Sequence, residues 1–285
     1  MLVGPKDEEG RHELFTVFAP VDIYDELKIK LEARPAGGFE GNVLVKCRAA
    51  EGESNLATKA LRGLERLSGW VFDGRIEIEK HIPVGAGLGG GSSDAATALL
   101  AGVQTLVEAG GPVPDRGQQL ALAREVGADV AFFFDPRPAI GRGIGEILEP
   151  IDLPELCLVA VSSGRHLSTE RVYGAYDSAQ PFAGRSVFDY RAGEAQKRWG
   201  QVQDVGQVAR LLENDLENTV YTLIPTLLTD RELLVREGAM AALVSGSGPT
   251  LFGLCASSDK AEELTQRMVF RGFKAQLATV PRGVA

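Results

Sequence analysis

The stretch IPVGAGLGGGSSDAATALL (82–100) sets five glycines, at 85, 87, 89, 90 and 91, between a strand-like run and an alanine-rich helical run. Glycine loses more conformational freedom on folding than any other residue, so a plain connection has no use for so many. Gly85, Gly87 and Gly90 satisfy a GxGxxG spacing. A dinucleotide fold also needs a second strand ending in an acidic residue about 20 positions on, where this chain is still finishing a helix near Glu108. The remaining reading is a phosphate cradle that lacks both the GK[ST] ending of a P-loop and the valine of the protein-kinase loop. Backbone N–H groups approach an anion only where no Cβ intervenes. A helix beginning at Ser92 or Ser93 would add unpaired amides and the positive end of its dipole.

This reading assigns Gly85, Ala86, Gly87, Leu88, Gly89, Gly90, Gly91, Ser92 and Ser93 to phosphate binding. The two serine hydroxyls are placed to cap the helix or to hold a phosphate or a Mg2+ ligand. Ala95, Ala96 and Ala98 keep the helix slim against its neighbours. Asp94, in the first turn, suits the dipole but repels a phosphate, so it is expected to point away or to face a cation.

Around this loop, strands and helices alternate. VDIYDELKIKLEA (21–33), NVLVKCRA (42–49) and RIEIEKHI (75–82) read as strands, and NLATKALRGLERLSGW (55–70) reads as a helix. The loop's own helix is expected from Ser93 to about Ala109, and GQQLALAREVG (117–127) is a further short helix. PAIGRGIGEILEPIDLPE (138–155) is rich in Gly and Pro and is the expected domain boundary, giving domains 1–150 and 151–285. Beyond it, LCLVAVSS is a buried strand and STERVYGAYD a helix opened by a Ser/Thr cap. DVGQVARLLENDLENTVYTLI (204–224) reads as one long amphipathic helix. AALVSGSGPTLFGLC reads as two strands about a glycine-rich turn, SDKAEELTQRMVF as a capped helix and KAQLATV as a closing strand. The class is α+β in two parts.

A chain of 285 residues, 44 % hydrophobic, builds a proper core. Its formal charge of −9 argues against nonspecific binding to nucleic acid or anionic lipid. An anionic small molecule is still acceptable, because a local pocket can oppose the global charge. Cys47, Cys157 and Cys255 are far apart and odd in number, and no Cys/His spacing suggests a metal site or a disulfide framework. MLVGPKDEEGRHEL is charged, so no signal peptide is expected, and no apolar run reaches transmembrane length. The expectation is a cytoplasmic protein, monomeric or homodimeric, with a small-molecule substrate.

PVGAGLGGGSSDAA resembles the signature of the GHMP small-molecule kinases, and within them the branch acting on CDP-methylerythritol (4-diphosphocytidyl-2-C-methyl-D-erythritol). GRHELFTVFAPVDIYDEL, ESNLATKAL, VGADVAFFF, RGIGEILEPI, LSTERVY, NDLE and VSGSGPTLFGL resemble further elements of that branch, in the same order. The resemblance implies a two-domain fold, with an N-terminal domain like ribosomal protein S5 domain 2 and a ferredoxin-like C-terminal domain. It implies ATP and Mg2+ as cofactors and phosphorylation of the substrate's 2-hydroxyl in the non-mevalonate isoprenoid precursor pathway. It places Asn55, Leu56 and Lys80 around the adenine or ribose, and makes Asp129 the catalytic carboxylate beside the acceptor hydroxyl. It puts His12 on the cytosine edge, Tyr173 on the cytosine face and Thr169 in the substrate pocket. The turn containing Gly246 and Ser247 would close the site.

Read without the family, His12 is an exposed polar residue, Lys80 a solvent-facing strand charge, and NDLE helix packing rather than chemistry. Tyr173 is as readily a core aromatic.

Two departures from the family pattern stand out. The family opens on a strand carrying PAK[IV]NL, and MLVGPK matches only the end of it; Lys6 is not at the motif's lysine. The expectation is either a start further upstream or weakened transition-state stabilisation, an interaction worth about 2.7–4 kcal/mol. Arg11 stands where the family has Tyr, and a guanidinium can also stack on a base. The rival readings are another GHMP kinase and a kinase-like ligand-binding protein of little activity.

Overall fold

The computed structural model describes residues 1–38, 40–47, 55–179 and 184–282. In chain order the elements begin β1 (Leu2–Lys6), β2 (His12–Phe18), β3 (Glu26–Pro35), β4 (Val43–Cys47), α1 (Leu56–Ser68) and β5 (Trp70–Glu79). They continue through α2 (Gly90–Glu108), α3 (Arg116–Val126), a 3-10 turn (Ala131–Phe134), β6 (Ala139–Arg142), β7 (Ile147–Pro150) and β8 (Leu156–Ser162). Helices α4 (Thr169–Ala179), α5 (Arg185–Trp199), α6 (Val205–Leu211), α7 (Glu217–Leu223) and α8 (Thr226–Arg236) follow. The chain closes with β9 (Ala241–Val244), β10 (Thr250–Cys255), α9 (Ser258–Phe270) and β11 (Lys274–Val280). Two expected elements run partly outside the described residues: the end of the 42–49 strand, and Glu53 and Ser54 of ESNLATKAL.

The chain divides into two compact units. The first comprises Met1–Asp22, Gly85–Leu88 and Arg137–Ala285; the second comprises Ile23–Val84 and Gly89–Pro136. This differs from the border expected at 150/151. The Gly- and Pro-rich run that reads as a linker is the β6–β7 hairpin, turned by Gly143 and Gly145 at positive φ. Its strand β6 pairs with β2, so residues 137–150 share a sheet with the N-terminal strands.

In the second unit the sheet order is β3-β5-β4. Strands β3 and β5 are antiparallel from Glu26↔Glu79 to Pro35↔Trp70, and β4 runs parallel to β5. The period-two pattern of β3 turns Leu27, Ile29, Leu31 and Ala33 towards one core, which also holds Leu61, Leu64, Phe72 and Ile76. Leu61, Leu64, Phe72 and Ile76 are fully buried and contribute about 1.5–3 kcal/mol each. Helices α1 and α2 pack closely because small residues meet large ones: a side chain at Gly102 would clash with Leu61 and Leu64. Capping is local and legible. Asn55 Oδ1 accepts from the Ala57 N–H, Gly69 ends α1 in the left-handed region, and Asp115 and Gln118 form a capping box on α3.

The first unit holds two antiparallel sheets, of order β1-β2-β6-β7 and β11-β8-β10-β9. The second of these is a βαββαβ arrangement, β8–helices–β9–β10–α9–β11, as expected for a ferredoxin-like part. Ser168 Oγ accepts from the Arg171 N–H at the start of α4, as its sequence predicts. The long helix expected over 204–224 is broken into α6 and α7 around Asn214. Cys157 and Cys255, distant in sequence, face each other across β8 and β10, and both are free buried thiols.

Candidate active site

The loop's two halves are built by different means. In the first unit, Gly87 takes a φ of 76°, and a Cβ there would lie 2.4 Å from the carbonyl oxygen of Ser245. No residue other than glycine fits. Ser245 Oγ donates to the Gly87 carbonyl at 2.8 Å, and the Thr250 N–H donates to the Ala86 carbonyl at 3.2 Å. The turn that makes these contacts is held by Asn214. Its buried amide donates to the carbonyls of Val244 (3.0 Å) and Gly246 (2.8 Å), while its Oδ1 accepts from the Leu216 N–H. NDLE therefore has a positioning task, and that task is what interrupts the helix expected across it.

In the second unit, α2 starts at Gly90, earlier than the expected Ser92 or Ser93, with Gly89 as N-cap at a φ of 68° and no side-chain cap. The first helical bond runs from the Ser93 N–H to the Gly89 carbonyl. The amides of Gly90, Gly91 and Ser92 thus precede the helical ladder, at the positive end of its dipole. Three donors with two glycines among them form a cradle for an anion. The hydroxyls of Ser92 and Ser93 cap nothing and have no hydrogen-bond partner among the described residues. Leu56 lies beside this start, its Cδ1 3.7 Å from where a Gly91 side chain would begin, and its neighbour Asn55 uses Oδ1 as the α1 cap.

Lys80 is not a free strand charge. Its ammonium donates to Asp25 Oδ2 (2.5 Å) and to Asp94 Oδ2 (2.8 Å). Asp25 Oδ1 in turn accepts the N–H groups of His81 and Ile82, at the entry to the loop. The cation expected to face Asp94 is Lys80. Burial alone would lower Lys80, but the two carboxylates outweigh it and hold the ammonium above its usual range. Burial raises Asp94, aided by the Asp25 charge and opposed by Lys80, and its Oδ1 is buried with no partner among the described residues. Asp25 lay outside the sequence reading; its only signal is an acidic residue opening a strand, which is too common to single out.

Asp129 sits in the turn after α3, just before the 3-10 turn whose Phe133 ring packs against Gly89. It has no hydrogen bond or ion pair among the described residues, and desolvation raises its carboxyl above the usual range. A half-buried carboxylate with no partner among the described residues, in the turn that leads to the ring packed on Gly89, is suited to take a proton.

The expected substrate residues lie in the first unit. Thr169 Oγ1 and Ser247 Oγ are 2.9 Å apart, which joins α4 to the turn containing Gly246. Tyr173 stacks on the imidazole of His12, with centroids 5.4 Å apart and planes inclined by 21°. His12 Nδ1 meets the Gly4 carbonyl at 2.7 Å and Nε2 meets Asp177 at 2.8 Å. Arg11 is held by Asp7 and Glu9, both at 2.9 Å. Asp177 had no place in the sequence reading. Its signal is the four-residue spacing after Thr169 and Tyr173.

Two family models match the chain: the GHMP kinases N terminal domain over residues 55–135, and the GHMP kinases C terminal over residues 195–274. A 4-diphosphocytidyl-2-C-methyl-D-erythritol kinase of Geobacter metallireducens is 37 % identical over 263 residues, covering 90 % of this chain and 86 % of that protein. The crystal structure of a 4-(cytidine 5'-diphospho)-2C-methyl-D-erythritol kinase superposes with a TM-score of 0.71 at 32 % identity, covering 99 % of this chain and 95 % of that one. A homoserine kinase from Cytophaga hutchinsonii, 20 % identical with a TM-score of 0.68 and 95 % of each chain covered, shares the fold. The chain belongs to the GHMP kinase family, among the 4-diphosphocytidyl-2-C-methyl-D-erythritol kinases.

Proposed function

We propose that this ATP-dependent small-molecule kinase phosphorylates the 2-hydroxyl of 4-diphosphocytidyl-2-C-methyl-D-erythritol, in the cytoplasm, as a step towards isoprenoid precursors. The observation that carries the reading is the glycine-flanked start of α2, with the Gly90, Gly91 and Ser92 amides ahead of the helical ladder. These amides hold the β- and γ-phosphates of ATP, and the turn at Ser245 fixes the other half of the loop. Asp129 accepts the proton of the acceptor hydroxyl. The acceptor oxygen then bonds to the γ-phosphorus, the bridging P–O bond breaks, and ADP leaves. Such catalysis is mostly positioning and charge neutralisation.

The donor set fits Mg2+, a hard cation that usually arrives on the nucleotide's phosphates and takes only one or two protein oxygens. The partnerless hydroxyls of Ser92 and Ser93 would hold it. Among the described residues no group of three or more His, Cys, Asp or Glu side chains is placed to hold a metal ion. When bound, the ion offsets negative charge on the phosphate oxygens. Among the described residues no helix is long and apolar enough to cross a membrane.

The test is ADP release by the full chain given ATP, Mg2+ and one acceptor at a time. Turnover with the cytidyl substrate and none with homoserine or mevalonate is the expected result. Turnover with one of those two instead, or binding without turnover, overturns the reading.

A further inference from the structure

We propose that the turn between β8 and α4 is a further wall of the phosphate site, in which His166 and Arg165 bond the phosphates of ATP held on the Gly85–Leu88 half of the loop. The inference rests on the reading of that loop as an ATP site and not on the identity of the acceptor. The loop leaves a charge to be supplied. Residues 82–100 contain no Lys, Arg or His, and their one charged side chain is that of Asp94. Lys80, just before them, is committed to Asp25 and Asp94. Backbone amides carry only partial charges against the several negative charges of a triphosphate.

The segment SSGRHLST (162–169) comes to this half of the loop from the same unit. Ser162 Oγ accepts from the Gly164 N–H and Ser163 Oγ from the Arg165 N–H, both at 3.2 Å, and Gly164 takes a φ of 67°. Leu167 is buried in the core of this unit and anchors the far end of the turn. Between these anchors Arg165 and His166 are exposed. The imidazole has one close neighbour all the same. Its Cδ2–Nε2 edge lies over Gly85, where a Cβ would stand 2.4 Å from Cδ2 and 2.7 Å from Nε2. Gly85, at a φ of 65°, is therefore required twice, by its own backbone and by the ring beside it.

The chemistry of the two side chains fits a phosphate. Neither has a hydrogen bond or ion pair among the described residues. The chain carries 39 acidic residues against 30 basic ones, yet no carboxylate among the described residues takes up this guanidinium. A guanidinium keeps its charge and presents a planar fork of donors that matches phosphate oxygens. An imidazole has at least one N–H at neutral pH or below.

The test is titration of the full chain with Mg2+ and ATP, and separately with adenosine, no acceptor being present. Adenosine reads the base and ribose contacts, so the ratio of the two affinities reads the phosphates. Arg165→Ala is expected to lower that ratio about tenfold, the low end for hydrogen bonds to a charged group, and His166→Ala about three- to fivefold. Arg165→Lys, which keeps the charge and loses the fork, is expected to recover part of the loss, and His166→Gln, which keeps a side-chain N–H, to stay near the wild type. Because both ligands are read on one sample, partial unfolding of a variant does not alter the ratio. Alanine variants that keep the wild-type ratio, or that weaken ATP and adenosine equally, overturn this inference alone. A wild type that binds adenosine as tightly as ATP removes the reading of the loop as well.

Discussion

Asp94 and Asp129 are carboxylates of the same unit, the first buried and the second half-buried, and desolvation raises both, but their surroundings differ. Asp94 shares the Lys80 ammonium with Asp25, which itself accepts two backbone N–H groups at the loop entry. Asp129 has neither a cation nor a donor among the described residues. Asp25, locked to the ammonium and to those two amides, holds the backbone at the loop entry in place, and Asp94 shares its cation. A carboxylate left unpaired costs stability whenever it is ionised, and it is free to take a proton. The contrast sets residues that fix the entry to the loop apart from the one to which the proposed function gives the proton.

The largest expected effect breaks the Asp129 side of this contrast. Asp129→Asn should cut turnover by about 10²–10⁴-fold, the usual worth of a positioned proton acceptor, while ATP binding stays close to wild type. Stability should move the other way. A carboxyl raised in the folded state contributes stability that is fully present below its unfolded value and is lost as pH rises through the folded value. The wild type therefore loses ground to the Asn variant as pH rises from about 4 towards neutrality. Thermal melts of both proteins over that range check the sign. A gap that does not change with pH, or unchanged turnover, would refute the assignment.

Lys80→Met tests the paired side. Removing the ammonium leaves two carboxylates buried together, and breaking a buried pair in this way costs about 3–5 kcal/mol. Urea unfolding should show that loss, and adding Asp94→Asn to Lys80→Met should restore part of it, since only one charge then stays uncompensated. If Lys80 serves only the adenine or ribose, as the family resemblance implies, the single variant will weaken ATP binding and leave the unfolding midpoint where it was.

What could be read from the sequence is what local spacing encodes. The alternation in RIEIEKHI, the caps on α1 and α9 and the glycine turn at 245–248 all appear where the residues indicate them. Helix α2 starts earlier than expected because glycine is a poor helix former and Gly90 and Gly91 read as loop. The same two residues are helical here and leave their amides open to an anion. The 138–155 run illustrates the same ambiguity in reverse: Gly and Pro mark a tight hairpin as readily as a linker. The pairings that build the site were out of reach. Lys80 and Asp25 are 55 residues apart, and His12 and Asp177 are 165 apart. No periodicity within one element points to a partner in another. Asn214 shows the cost of that blindness: its neighbours fit a continuous helix, but its side chain is committed to two carbonyls about 30 residues further on.

The smallest expected effect concerns the loop's other half. Gly85–Leu88 lacks a helix to organise it and is set by the turn that carries Ser245. Ser245→Ala removes the single side-chain bond to the Gly87 carbonyl, and a bond of this kind is worth about 0.5–1.5 kcal/mol. The carbonyl is exposed enough for water to replace the hydroxyl, so the lower part of that range applies and the melting temperature should barely change. The shift should appear in KM for ATP, a rise of about two- to fivefold with kcat nearly constant, because ground state and transition state both lean on the loop. A fall in kcat at constant KM would mean that the turn acts on the transferring phosphoryl group itself. No change in either would mean that Asn214 and the Thr250 amide hold the loop without help from the hydroxyl.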